Sequence, residues 1–119
     1  MTEDFYCDEV LSGKTEVSVI RETDNVLAYY HTRPFWPTHV VVIPKRHISS
    51  LLTLEERDSA LLLELIAVVK DVAATIVAEH EACRVLTNLG TYQDSKHLHF
   101  HVCAGEPSAG SAGVSPAQS

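Results

Sequence analysis

Basic residues are in short supply. The 119-residue chain carries nine Lys and Arg against sixteen Asp and Glu, a formal charge of −7. That balance argues against a broad basic face of the kind that holds nucleic acid or an anionic membrane. It leaves room for a small anion, because a local site can be electropositive on an acidic protein. Long apolar runs are missing as well, and no stretch approaches the roughly 20 residues a membrane span needs. The first ten residues, MTEDFYCDEV, are acidic and lack the basic and apolar regions of a signal peptide. Cysteine is sparse: Cys7, Cys83 and Cys103 form no CxxC pair, which argues against a disulfide framework and a cysteine-rich zinc site. No internal repeat is visible. The expectation is one soluble cytoplasmic domain with reduced thiols and neither nucleic acid nor membrane as partner.

What is present is an ordinary globular mixture, 45% hydrophobic and 21% charged, enough for one core and marginal for two. Val17 and Val19 alternate with polar neighbours over Glu16–Ile20, predicting a half-buried strand. A second strand follows at Val26–Tyr30 after the turn signal ETDN. Two prolines in RPFWP (33–37) mark a loop. HVVVI (39–43) then reads as a buried central strand. Thr53 and Glu56 have capping-box spacing, and Leu62, Leu65, Ile66, Val69, Val72, Ala73 and Ile76 predict a long helix to about His80. Leu61, Leu63 and Val68 broaden its apolar stripe, as a second subunit covering another face would require. RVLTNL (84–89) and HLHFHVCA (97–104) complete five strands. Residues 1–105 form the expected domain, and the Gly/Ala/Ser/Pro-rich 106–119 a disordered tail. The order predicts an α+β fold, a mostly antiparallel sheet with one principal helix.

The chemistry concentrates in HLHFHV. Alternation on a strand sends His97, His99 and His101 to one face, about 7 Å apart from one to the next, and Leu98, Phe100 and Val102 to the other. Seven His placed at random in this chain would give such a triplet roughly 1–2% of the time. Three chemistries fit the triplet: a metal site, acid–base work near neutral pH, and a nucleophile that accepts a phosphoryl or nucleotidyl group. His47 at a strand end and Asn88 before the triplet offer neutral donors suited to phosphate oxygens. Cys103 and Asp94 remain available as metal ligands. Isolated histidines such as His39 and His80 read as surface or satisfied core residues.

These residues together resemble the histidine triad superfamily. HLHFHVC matches its His-φ-His-φ-His-φ-φ signature, IPKRHI its Ile-Pro-Lys-x-His-Ile, and Asn88-Leu89-Gly90 its Asn-x-Gly, with compatible spacing from about Phe5 to Gly105. The resemblance implies a homodimer of α+β protomers that binds a nucleotide at its α-phosphate and needs no cofactor. Members release nucleoside monophosphates from phosphoramidates, acyl phosphates, dinucleoside polyphosphates or nucleotide sugars. Residue by residue, it makes His99 the nucleophile, its tautomer held by the main-chain carbonyl of His97, with His101, His47 and Asn88 around the phosphate. His101 is the first candidate for protonating the leaving group. A nucleotide-binding protein with little turnover and a metal-dependent hydrolase on the same histidines are the alternatives.

Four departures from the family pattern stand out. Many members carry an Asp that hydrogen-bonds the ribose hydroxyls where this chain has His31. Tyr29 matches a position lining the base pocket, equally compatible with a half-buried strand tyrosine. Asp94 falls where members place Ser or Thr near the phosphate, which leaves Ser95 or Gln93 to serve instead. Cys7 stands alone where some bacterial members have a zinc-binding CxxC, so no metal is expected, and the C-terminus lacks the Trp- and Pro-containing ending of the phosphoramidase branch.

Overall fold

The computed structural model describes residues 10–13, 16–93 and 95–107. Cys7, Asp94 and residues 108–119, which carry several of the expectations above, lie outside them. Five strands form one antiparallel sheet: β1 (Val19–Glu22), β2 (Val26–Tyr30), β3 (Thr38–Pro44), β4 (Arg84–Leu86) and β5 (Phe100–Ala104), in the spatial order β1-β2-β3-β5-β4. The single long helix α1 (Ser59–His80) lies across one face. Alternation decides which residues meet it. Val26 and Ala28 of β2, Val40 and Val42 of β3, and Phe100, Val102 and Ala104 of β5 pack with Leu65, Val68, Val69, Val72 and Ile76 of the helix. Among the described residues, no helix is long and apolar enough to cross a membrane.

Element ends differ from expectation for identifiable reasons. The helix begins at Ser59 rather than Thr53. Thr53 instead closes a 3-10 turn over Leu51–Thr53, its Oγ1 accepting from the Ser50 N–H at 3.2 Å while Ser50 Oγ accepts from Leu52 N–H. A second such turn, Glu56–Asp58, follows before the helix, with Asp58 Oδ2 accepting the Glu55 N–H at 2.8 Å. Strand β4 stops at Leu86 because Thr87 turns its hydroxyl to the His99 carbonyl, at 2.6 Å. Strand β5 starts at Phe100, not His97: the Leu98 N–H goes to the Ile48 carbonyl at 2.6 Å instead of to a neighbouring strand. His97 and His99 therefore precede the ladder, although Leu98 still inserts into the helix-side core. Strand β1 starts three residues later than predicted and ends two later, with a register irregularity between Val19 and Arg21, and Val17 packs against the second cluster described next.

Candidate active site

The sheet face away from the helix is divided along its length. One end is apolar, with Leu27 and Tyr29 of β2 packed on Val41 and Ile43 of β3 and on Val10. The other end carries imidazoles. Two residues past Tyr29 in the β2 alternation comes His31, two before Val41 comes His39, and Val41 itself is the Cα partner of His101. Strand pairing alone thus gathers three histidines from three segments, and His99 follows from the same alternation. His31 stacks on His39 with ring centroids 4.3 Å apart, His39 lies 4.9 Å from His101, and His99 meets His101 edge-on at 5.0 Å.

Main-chain groups choose the tautomer of each ring. The His99 Nδ1 lies 2.7 Å from the His97 carbonyl, so Nδ1 carries the proton and Nε2 is the unprotonated nitrogen. The His97 Nε2–H likewise donates to the Pro44 carbonyl at 2.8 Å. For His31 and His39 the polarity is reversed. His31 Nδ1 accepts the Arg33 N–H at 2.8 Å, and His39 Nδ1 accepts the Phe35 N–H at 3.0 Å. Each therefore bears its proton on Nε2. The His39 Nε2–H then donates to His101 Nδ1 at 2.8 Å, which leaves His101 with a proton on its own Nε2.

Burial keeps these rings neutral. Desolvation, aided by the neighbouring His99 and Arg33, lowers His31 to a pKa of about 4. Desolvation with His31 and His99 lowers His39 to about 3. Desolvation with His99, His39 and His31 lowers His101 to about 2. At neutral pH His101 is thus a hydrogen-bond donor and not a proton-loaded acid. Among the described residues, three buried side-chain nitrogens have no partner: His31 Nε2, His101 Nε2 and Asn88 Nδ2. All three are donors. An array of unanswered donors calls for a ligand that brings acceptor oxygens.

The same cluster has metal-like spacing, since one nitrogen from each of His31, His39 and His101 lies within 4.8 Å of the others. Its outer bonds run the wrong way. A metal-bound histidine donates its second N–H to an acceptor, whereas the second nitrogens of His31 and His39 accept from backbone N–H groups. The donor set favours oxygen acceptors over a cation.

The remaining predicted residues scatter. His47 is exposed at the rim, its ring edge-on to His97 at 5.3 Å. Gln93 is buried and commits its amide N–H to the Ser49 carbonyl at 2.7 Å, tying the loop before the triad to the segment after His47. Ser95 is buried nearby in sequence, and Tyr29 is core, 1% exposed. Asn88 follows β4, whose Leu86 pairs with His101, and its Nδ2 is buried. His39, expected as a surface or satisfied core residue, is buried with both ring nitrogens bonded and orients His101; the signal for that role was its even spacing from Val41 and Ile43 on a strand beside the triad. His80 is exposed and 3.2 Å from Thr38 Oγ1, as a surface residue should be. His97, His99 and His101 are at most 1% exposed.

Comparison with known proteins decides the family. The HIT domain model matches residues 12–108. The chain belongs to the HIT family. An uncharacterized HIT-like protein of Synechocystis sp. is 31% identical over 108 residues, 90% of this chain and 95% of that one. A HIT family hydrolase from Legionella pneumophila superposes with a TM-score of 0.76 at 28% identity, covering 87% of this chain and 93% of the other. Another HIT family hydrolase, from Clostridium thermocellum, gives 0.77 at 27% identity with 89% and 93% coverage. The five-stranded sheet and single helix are thus the HIT fold.

Proposed function

We propose that this HIT protein is a nucleotidyl hydrolase or transferase acting at the α-phosphate of a nucleotide conjugate through a covalent intermediate on His99. The observation that carries the proposal is the 2.7 Å bond from His99 Nδ1 to the His97 carbonyl, which puts the lone pair on Nε2. That nitrogen attacks phosphorus, a P–N bond forms, and the bond to the leaving group breaks with its electron pair departing on that group. Water or another acceptor then attacks the same phosphorus, breaks the P–N bond and restores Nε2. The Nε2–H of His101 and the Nδ2–H of Asn88 address the non-bridging oxygens as charge grows on them. His39 acts through His101 as a positioning residue. The phosphoramidate, acyl phosphate and dinucleoside polyphosphate classes all contain such a phosphorus, and a homodimer is the proposed assembly.

Incubation with an adenosine phosphoramidate, followed by acid quench and intact-mass analysis, tests the mechanism. The wild type gains the mass of one adenylyl group, and His99→Ala gains none. Absence of the adduct in the wild type, with hydrolysis still running, removes the covalent route. The near-complete burial of His99 favours a second reading, a nucleotide binder with little turnover. Its signature in the same experiment is a nucleotide-induced thermal shift with neither adduct nor hydrolysis.

A further inference from the structure

The segment that ends β3 and follows it grips the triad through its carbonyls. Pro44 accepts the His97 Nε2–H at 2.8 Å, Ile48 the Leu98 N–H at 2.6 Å, and Ser49 the Gln93 side-chain N–H at 2.7 Å. His97 in turn presents the carbonyl that fixes His99 Nδ1. The pose of the nucleophile therefore depends on where residues 44–49 sit. Within that segment Arg46 donates through one guanidinium nitrogen to Oδ1 of Asp58.

Asp58 is the one buried carboxylate among the described residues, and of their Lys and Arg ion pairs only Arg46–Asp58 has a buried member. It stands at the N-cap of α1, yet its side chain makes no bond to the first turn of that helix. One oxygen takes the Glu55 N–H in the preceding turn and the other faces Arg46. The Glu55 N–H, and after it Arg46, hold the carboxyl below its ordinary value, so it is charged at neutral pH. A buried charge stripped of its partner is costly. That cost pins Arg46, and with it the backbone that carries the three carbonyls, to the start of the helix.

We propose that Asp58 is a positioning residue for the His99 site, acting through Arg46 on the segment whose carbonyls orient His97, Leu98 and Gln93. The inference rests on the nucleotidyl-transfer reading above for its effect on rate. Neither residue is among the groups assigned to phosphorus, so loss of the pair lowers the rate at saturation and spares substrate binding.

Two readouts on the full chain test this. One is adduct formation from an adenosine phosphoramidate over a concentration series; the other is the nitrogen-15 to proton correlation spectrum of the histidine-labelled protein at pH 7, without substrate. In Arg46→Leu the saturating rate is expected to fall about tenfold, short of the roughly hundredfold that a 1 Å misplacement costs, with the half-saturating concentration little changed. The His99 proton is then shared between Nδ1 and Nε2 in the spectrum. Arg46→Lys, which restores a charge to the single bond, recovers most of both signals. An Arg46→Leu protein that melts cooperatively and keeps the wild-type spectrum overturns the proposal, and so does one that keeps the wild-type saturating rate. An equal loss in Arg46→Lys overturns it too, since the effect would then belong to the arginine's shape and not to its charge pair with Asp58. Should Arg46→Leu lack a cooperative transition, Asp58→Asn, which keeps an oxygen for the Glu55 N–H and removes the charge, is read in the same way. A wild type that forms no adduct removes the covalent mechanism, and the substrate-free spectra then decide the positioning role by themselves.

Discussion

Two of the pocket's imidazoles donate to main-chain carbonyls and two accept from main-chain N–H groups, and that division sorts nucleophile from donor. The cost of holding such rings uncharged shows in the pH dependence of folding. Above pH 6.5, the ordinary histidine value, His31, His39 and His101 are neutral in both folded and unfolded chains and contribute no slope. Below it the unfolded chain binds protons that the native cluster refuses until about pH 4, 3 and 2 respectively. Stability therefore falls as pH drops from 6.5 toward 4. Denaturant melts across that window should show the fall, and His39→Phe should make it shallower by about one proton per molecule. An unchanged slope would mean the His39 ring is not protected. The triad, Asn88 and His31 could be singled out in the sequence from motif spacing. The roles of His39 and His31 were not legible there, because the groups that set their tautomers are the backbone N–H groups of Phe35 and Arg33, and only the folded loop aims those.

At the level of elements, Leu98 links packing to chemistry. Its side chain is 1% exposed in the helix-side core, and its N–H is anchored on Ile48, so the residues on either side, His97 and His99, are held off the ladder in a defined pose. Leu98→Ala should cost about 2–5 kcal/mol of stability by cavity formation, read from urea unfolding. Adduct formation on His99 should slow in the fraction that remains folded; retention of the wild-type rate would show that the pose does not depend on this anchor. Strand β2 and the extent of the helix to His80 were readable because hydrophobic alternation and the 3.6-residue period run uninterrupted there. The start of the helix and of β5 were not. Thr53 and Leu98 each spend a hydrogen bond on a partner that periodicity does not reveal, Ser50 in one case and the Ile48 carbonyl in the other.

For the whole molecule, the helix has more apolar surface than the sheet can cover. Leu63, Ile66 and Val77 are 72%, 43% and 45% exposed, and at 3.6 residues per turn they fall within about 60° of one another on α1. Ile66 was expected in the core stripe; the structure turns it outward, while Val68, assigned to the broader band, is buried. A homodimer that covers this stripe predicts a sedimenting mass of twice 13.1 kDa and dissociation by the double change Leu63→Glu and Ile66→Glu. A wild type that sediments as a monomer at micromolar concentration would contradict that assembly.

The proposed mechanism turns on which nitrogen of each ring holds the proton. Long-range nitrogen-15 to proton correlation spectra of the histidine-labelled protein at pH 7 report this atom by atom. The predicted map has the proton on Nδ1 of His99 and on Nε2 of His31, His39, His97 and His101. A His99 whose proton sits on Nε2 would leave no lone pair facing phosphorus and would contradict the mechanism.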